Sequence, residues 1–340
     1  MATEKEIAAR CNVSIGTVDR VLHNRGRVNE QTRQKVLEMA KALNYTPNRV
    51  AQGLAVRKKK LHFVFFCVAH EEHPFYRDVN QAARDKAQEL TEYGVKVSFV
   101  PLRQETVEGN TRLIAPLPEG ESVDGVAMIG LARIKGVLAE GTPVVYYNTE
   151  PSDGDGFAFV GCDYVRAGRI AAGLCAACAD EKKQIAVFSE GGMGRNTFSF
   201  SNRIEGFREQ LAKEYPQCRI VGGHGFCNRY EEDYEGARAF LREHPGVSAV
   251  YVVNPGNYDI CRIIRELDPD GNIRVITNDM PQPQKQMLRD GIISAAITQT
   301  PEMQGAMPLE LLFQYLAYGK TPENRVFHTE LKVRLAYNLV

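Results

Sequence analysis

The sequence predicts two architectures in one chain: a small all-α helix-turn-helix head, and an α/β body of two lobes, each a doubly wound parallel sheet. Residues 1–60 show three short helical patterns and no strand pattern. The rest of the chain alternates near-continuous apolar runs with amphipathic helices, the signature of parallel sheets covered on both faces. Charge divides at the same place. Residues 1–60 carry 13 Lys and Arg against 5 Asp and Glu, so the overall zero hides a head at +8 and a body at −8. The expected boundaries are a head over 1–46, a hinge and linker over 47–60 and a two-lobed body over 61–340. Lobe 1 takes about 61–162 and 300–328, and lobe 2 about 163–299 and 329–340.

In the head, Thr3 to Cys11, Val13 to Leu22 and Asn29 to Leu43 have helical spacing. Thr3 is placed to cap the first helix, and Glu6, three residues on, to reach back to the Thr3 amide. Ser14 caps the second helix after a tight Asn12-Val13 turn. There Val18, Val21 and Leu22 point one way, while Ile15, Gly16, Asp19, Arg20 and His23 fall on the other face. A helix of this size that offers its N-terminal residues and an arginine outward fits the major groove of double-stranded DNA. Thr3, Ser14, Ile15, Gly16, Thr17, Asp19, Arg20, His23 and Asn24 are the expected DNA contacts, with the basic charge attracting phosphates regardless of sequence. An Asp19 carboxylate beside phosphates is repulsive unless it pairs with Arg20 or accepts from a cytosine amino group.

The stretch from Asn44 to Ala55 reads as a hinge. Pro47 suits the first turn of a helix, and Val50 and Leu54 share one face. Gly53 weakens such a helix by about 1 kcal/mol relative to Ala, and the segment is too short to hold alone in water. It is expected to order on DNA, bringing Asn48, Leu54 and Ala55 to the duplex, with Leu54 unstacking a base step and bending it. A plain flexible linker is the alternative. Four cations, Arg57 to Lys60, follow.

In the body, Leu61 to Val68 is an apolar strand and Tyr76 to Thr91 a helix with Val79, Ala83, Ala87 and Leu90 inward. Strands recur at Val95 to Val100, Val123 to Ile129 and Pro143 to Asn148; Glu105 to Pro116 has poor helical periodicity. A second series runs through Ile185 to Ser189, a helix at Asn202 to Glu214, Ile220, Ala249 to Val253, Arg274 to Thr277 and Ser294 to Thr298. Ligands of open α/β sheets bind beyond the carboxyl ends of the strands, and two lobes bring those ends face to face across a cleft. The residues there are polar and planar with an aromatic pair: His73, Phe75, Tyr76, Asn148, Asn254, Asp279 and Gln299. Paired donors and acceptors of this kind match vicinal hydroxyls, and an aromatic ring lies well against the C–H face of a sugar. The duller alternatives are helix caps, core aromatics, and Arg203 pairing with Glu205 or Glu209.

Two family resemblances follow from these residues. Val13 to Leu22, Val28 to Val36 and Tyr45-Thr46-Pro47-Asn48-Arg49-Val50-Ala51 resemble the lac repressor (LacI/GalR) family. The resemblance implies a second helix that reads the major groove and a hinge helix, with Leu54 in the minor groove, that folds only on operator DNA. Gly16 and Asp19 depart from that pattern, so operator preference does not carry over. Residues 61 to 335 resemble the periplasmic sugar-binding proteins of the ribose-binding type, through His73-Pro74-Phe75-Tyr76, Arg203-Ile204-Glu205-Gly206-Phe207, Asn254, Asp279 and Gln299. That implies a two-lobed periplasmic-binding-protein-like fold in which Arg203 clamps ligand hydroxyls. Asn148 and Thr149 depart from the ribose pattern.

Other classes fare worse. His70-Glu71-Glu72-His73 lacks a third protein ligand and helical His spacing for zinc, so no metal and no cofactor is expected. The Cys175/Cys178 pair has no second pair and reads as packing, like the other scattered cysteines of a reducing compartment. Gly191-Gly192-Met193-Gly194 lacks the Lys and spacing of a phosphate loop. The longest apolar run is far shorter than the roughly 20 residues that span a bilayer, and no secretory signal opens the chain, so a cytoplasmic, nucleoid-associated protein is expected. No heptad tail follows the Lys332-Val333-Arg334 strand, and a homodimer is expected. The expectation is a regulator, not an enzyme: a repressor of sugar uptake or breakdown released by a small sugar or polyol. A corepressor response to a nucleobase-like or phosphorylated ligand, an activator, and an enzyme using His70, Glu72 and His73 are the open rivals.

Overall fold

The computed structural model describes residues 3–22, 28–43, 45, 56–69, 75–107, 110–151, 154–179, 184–189, 197–221, 235–253 and 258–339. The head packs α1 (Glu4–Cys11), α2 (Ile15–Leu22) and α3 (Glu30–Ala42) around Ile7, Ala8, Cys11, Val18, Val21, Val36 and Ala40. The Thr3 hydroxyl accepts from the Glu6 amide at 3.2 Å, and Asn12 closes α1 in the left-handed conformation at φ 55°. Only half of the expected capping box forms: the Glu6 carboxylate pairs with Arg10 at 3.3 Å, one turn further on, where a cation is the stronger partner. Asn29 caps α3, and the Tyr45 hydroxyl donates to Glu4 at 2.9 Å, tying the end of the head back to its start.

The first large sheet takes β1 (His62–Cys67), β2 (Lys96–Pro101), β5 (Gly125–Ile129), β7 (Val144–Tyr147), β8 (Ala158–Gly161) and β14 (Val326–His328). Their order is β14-β8-β7-β5-β1-β2, and every neighbouring pair is parallel. The second takes β9 (Gln184–Phe188), β10 (Arg219–Val221), β11 (Val247–Val252), β12 (Arg274–Asn278), β13 (Ala295–Thr298) and β15 (Lys332–Arg334), in the order β10-β9-β11-β12-β13-β15. Only its edge strand β15 is antiparallel. The helices are α4 (Phe75–Thr91), α5 (Tyr164–Cys178), α6 (Thr197–Glu214), α7 (Glu235–Glu243), α8 (Tyr258–Leu267), α9 (Gln282–Arg289) and α10 (Pro301–Tyr318). The continuous burial of β1, β5, β8 and β11 follows from helices on both faces. The chain passes from one sheet to the other after β8, after β13 and after β14.

Residues 103–116 are strands, β3 (Arg103–Val107) and β4 (Asn110–Pro116), paired antiparallel and extended by β6 (Ala132–Lys135). The Thr106 and Thr111 hydroxyls meet across the ladder at 2.9 Å, and this stretch offers no helical apolar face to bury. The linker also differs from expectation. Val56 is buried in the core of the first sheet, Arg57 donates to the Glu92 carbonyl at 2.9 Å, and Lys59 donates to the carbonyls of Leu316 and Ala317 at 2.8 Å each. Two of the four linker cations therefore hold the chain to the body, Lys59 by capping the negative C-terminal end of α10.

Candidate functional site

Two sets of residues carry chemistry. In the head, Ser14 Oγ accepts from the Thr17 amide at 3.1 Å and lies 2.9 Å from the Thr17 hydroxyl, which fixes the start of α2. Val18 and Val21 bury one face of α2, while Ile15 is 49% exposed and Gly16 and Arg20 are open to solvent. Arg20 Nε donates to the Gly16 carbonyl at 3.0 Å, laying the guanidinium along the exposed face. A Cβ at Gly16 would meet nothing nearer than Ser14 Oγ at 3.8 Å, so packing does not demand this glycine; its absent side chain shapes the surface instead. Asp19 is half-buried. His23, Asn24, Asn48, Leu54 and Ala55 lie outside the described residues.

In the body, strand ends and one helix bring a polar set together. Asn148 directly follows β7 and Asp279 directly follows β12, both buried and both with positive φ, 60° and 56°. Such backbone is uncommon outside glycine and turns these side chains inward. Gln299 follows β13 and donates from Nε2 to both Asp279 carboxylate oxygens at 3.0 Å. Arg203, on α6, is 2% exposed; its Nη2 lies 3.6 Å from Asp279 Oδ2 and its guanidinium 4.9 Å from the Tyr164 ring centre. Its Nε is buried with no hydrogen-bond partner among the described residues. Glycines set this position: a Cβ at Gly168 of α5 would stand 1.9 Å from the Arg203 carbonyl oxygen, and one at Gly206 of α6 2.0 Å from that of Val165. Burial pushes the Asp279 carboxyl above its ordinary pKa, and Arg203 and Gln299 draw it back only in part. The neighbouring carboxylate keeps Arg203 charged despite its burial.

On the side of the first sheet, Phe75 and Tyr76 open α4 with rings edge to face, 5.4 Å apart. The Tyr76 hydroxyl donates to Asn148 Oδ1 at 2.9 Å. The structure thus brings Phe75, Tyr76, Asn148, Arg203, Asp279 and Gln299 to one region; His73 and Asn254 lie outside the described residues, as do His70 to His73 as a group and Gly191 to Gly194. Two buried residues that the sequence reading did not single out join them. Gln304 of α10, fully buried, accepts from Asn148 Nδ2 at 3.1 Å and donates to Gln299 Oε1 at 3.1 Å. Tyr164 of α5 donates to the Asn148 carbonyl at 3.0 Å. A glutamine amid Gly305, Pro308, Leu309 and Leu312 on the inward face of α10 is the signal that could have found Gln304.

A groove of about 570 Å³ opens where α4, α9, α10 and β15 meet, with Phe75 and Asp279 in its wall. A larger one, about 800 Å³, lies against β3, β4 and β6 and contains none of these residues. Among the described residues no three His, Cys, Asp or Glu converge as a metal-ligand set, and no helix is long and apolar enough to cross a membrane.

Residues 64–321 match the periplasmic binding protein domain family, and residues 3–48 match the bacterial regulatory proteins of the lacI family. The chain is 30% identical over 224 residues to the HTH-type transcriptional regulator pepR1 of Lactobacillus delbrueckii subsp. lactis, covering 63% of this chain and 62% of that protein. It is 35% identical over 99 residues to the ribose operon repressor of Bacillus subtilis (strain 168), covering 29% of each. Both matches span less than two thirds of the relative. Among solved structures, GanP, a glucose-galactose binding protein from Geobacillus stearothermophilus, is similar at a TM-score of 0.61 and 22% identity, covering 82% of this chain and 98% of that one, which shows the shared fold. With the body matched over more than half of the chain and the head matched beside it, the protein belongs to the periplasmic binding protein domain family and carries a lacI-family DNA-binding head.

Proposed function

We propose that the chain is a transcriptional repressor of carbohydrate uptake or breakdown genes, released from a palindromic operator when a small sugar or polyol binds in the interlobe cleft. Ile15, Gly16, Thr17, Asp19 and Arg20 read the major groove, with Thr3, Ser14, His23 and Asn24 at its margins and Asn48, Leu54 and Ala55 at the minor groove. His73, Phe75, Tyr76, Arg203, Asn254, Asp279 and Gln299 surround the effector, and Asn148 backs them. Two copies form a homodimer in the cytoplasm and place two heads on two half-sites.

The observation that carries this reading is the buried Arg203 beside Asp279. Its Nε is a donor without a partner among the described residues, beside a carboxylate, the arrangement that favours a neutral hydroxyl acceptor over an anion. The ribose operon repressor among the relatives supports the sugar class. A thermal-shift screen of the full chain against pentoses, hexoses, polyols and nucleobases tests it, since a ligand that binds only the folded state raises the melting temperature. A sugar or polyol hit that also releases the protein from an operator selected from random duplexes is the expected outcome. A nucleobase hit that tightens DNA binding would replace induction by corepression.

A further inference from the structure

The hydrogen bonds behind the cleft run in one direction across both lobes. The Tyr76 hydroxyl donates to Asn148 Oδ1 at 2.9 Å, Asn148 Nδ2 donates to Gln304 Oε1 at 3.1 Å, Gln304 Nε2 donates to Gln299 Oε1 at 3.1 Å, and Gln299 Nε2 donates to Asp279 at 3.0 Å. Arg203 faces Asp279 from its other side. The first three residues belong to elements packed on the first sheet, and Asp279 and Arg203 to the second, with Gln299 on the crossover between them. A carboxylate only accepts, so it obliges the Gln299 amide to present its nitrogen to Asp279 and its oxygen to Gln304. Gln304 must then present nitrogen to Gln299 and oxygen to Asn148, and so on to the phenol. Buried chains of this kind polarise one another.

We propose that Gln304 is a positioning residue that fixes the orientation of Gln299, and through it the Asp279 carboxylate, to the state of Tyr76 and Asn148 in the opposite lobe. Asn148, whose Oδ1 accepts from Tyr76 and Thr149 and whose Nδ2 donates to Gln304, serves this tie and does not read ligand hydroxyls. Without Gln304 the Gln299 amide is free to turn its oxygen toward the carboxylate, and Asp279 loses its alignment with Arg203. An effector that draws on Asp279 in one lobe thereby acts on Tyr76 in the other.

The inference rests on reading the cleft as an effector site, yet its test needs no effector, so silence in the sugar screen leaves it standing. Two amides report on the two ends: Asn148 N donates to the Val160 carbonyl at 3.0 Å and Asp279 N to that of Ile297 at 2.8 Å. Amide hydrogen exchange of the full chain, resolved to single residues, is compared between wild type, Gln304→Met and Tyr76→Phe. Gln304→Met should raise exchange at both amides at least tenfold while strands β1 and β11 keep their rates. Tyr76→Phe should raise exchange at Asp279 several-fold, and this variant decides the matter if Gln304→Met fails to fold. No change at Asp279 in Tyr76→Phe, or a uniform rise across the core in both variants, would overturn the proposal.

Discussion

Arg203 shows how one residue can be stabilised and still leave a demand for a ligand. Its charge is matched by Asp279, but its buried Nε has no partner among the described residues, a cost that the hydroxyl of the proposed effector would relieve. Arg203→Met removes the one cation that opposes Asp279's burial, so Asp279 holds its proton still more tightly in the native state. The native protein then binds more protons than the unfolded chain from the ordinary carboxylate pKa up to the raised one, and stability falls as pH rises through that window. Urea unfolding should show the variant about 3 kcal/mol less stable than wild type at pH 8 and closer to it at pH 5. Equal losses at both pH values would mean that Asp279 is not the group left behind. In the head, burial and then the Glu4 hydrogen bond push the Tyr45 hydroxyl up to about 12. The native head keeps that proton while the unfolded chain loses it, so head stability should fall between the ordinary tyrosine value and about 12. Tyr45→Phe should cost on the order of 1 kcal/mol at neutral pH and flatten that alkaline fall, read by the helical circular dichroism of the head. Asp279 and Gln299 were legible in the sequence because strand ends fix where such side chains must point, and Arg203, on a helix, only through the likeness of Arg203-Ile204-Glu205-Gly206-Phe207 to the sugar-binding proteins. Gln304 and Tyr164 were not, because a helical residue's role depends on which neighbour its helix lies against, and sequence periodicity reports only that it faces inward.

At the scale of elements, the close approach of α5 and α6 is what turns Arg203 inward, and two glycines allow it. A methyl at Gly168 would stand 1.9 Å from the Arg203 carbonyl oxygen, a backbone atom that cannot swing aside. Gly168→Ala should therefore spread the two helices, destabilise the body by about 2 kcal/mol and weaken effector binding together, since overpacking shifts backbone. Thermal melts with and without the effector found in the screen check this; a stable variant with normal binding would separate the helix contact from the site. The same scale shows where the sequence pattern was decisive. Largely apolar, buried runs such as His62–Cys67 and Val247–Val252 are strands because both faces are covered. Arg103–Val107 and Asn110–Pro116 were harder to place because their sheet has only three strands, and charged residues such as Glu105 and Lys135, paired at 2.8 Å, interrupt any apolar alternation.

For the whole molecule, a head at +8 and a body at −8 suit the proposed division of labour, in which the head meets phosphates and the body stays off the duplex. The linker complicates that division, because adjacent cations have different tasks. Lys59 is bound to the last carbonyls of α10, a helix that begins two residues after Gln299 and packs along the first lobe. Lys58 makes no such bond among the described residues and stays exposed. Each cation that neutralises a phosphate contributes about 0.9 to the slope of log affinity against log salt. Lys58→Gln should lower that slope by about this amount while leaving effector release intact. Lys59→Gln should leave the slope unchanged and impair release, because the head is then no longer joined to the helix that carries Gln304. Fluorescence anisotropy on one selected operator at several salt concentrations, with and without effector, reads both quantities from the same samples. A reduced slope for Lys59→Gln with normal release would return Lys59 to the phosphate-binding set and place the path from cleft to head elsewhere in the molecule.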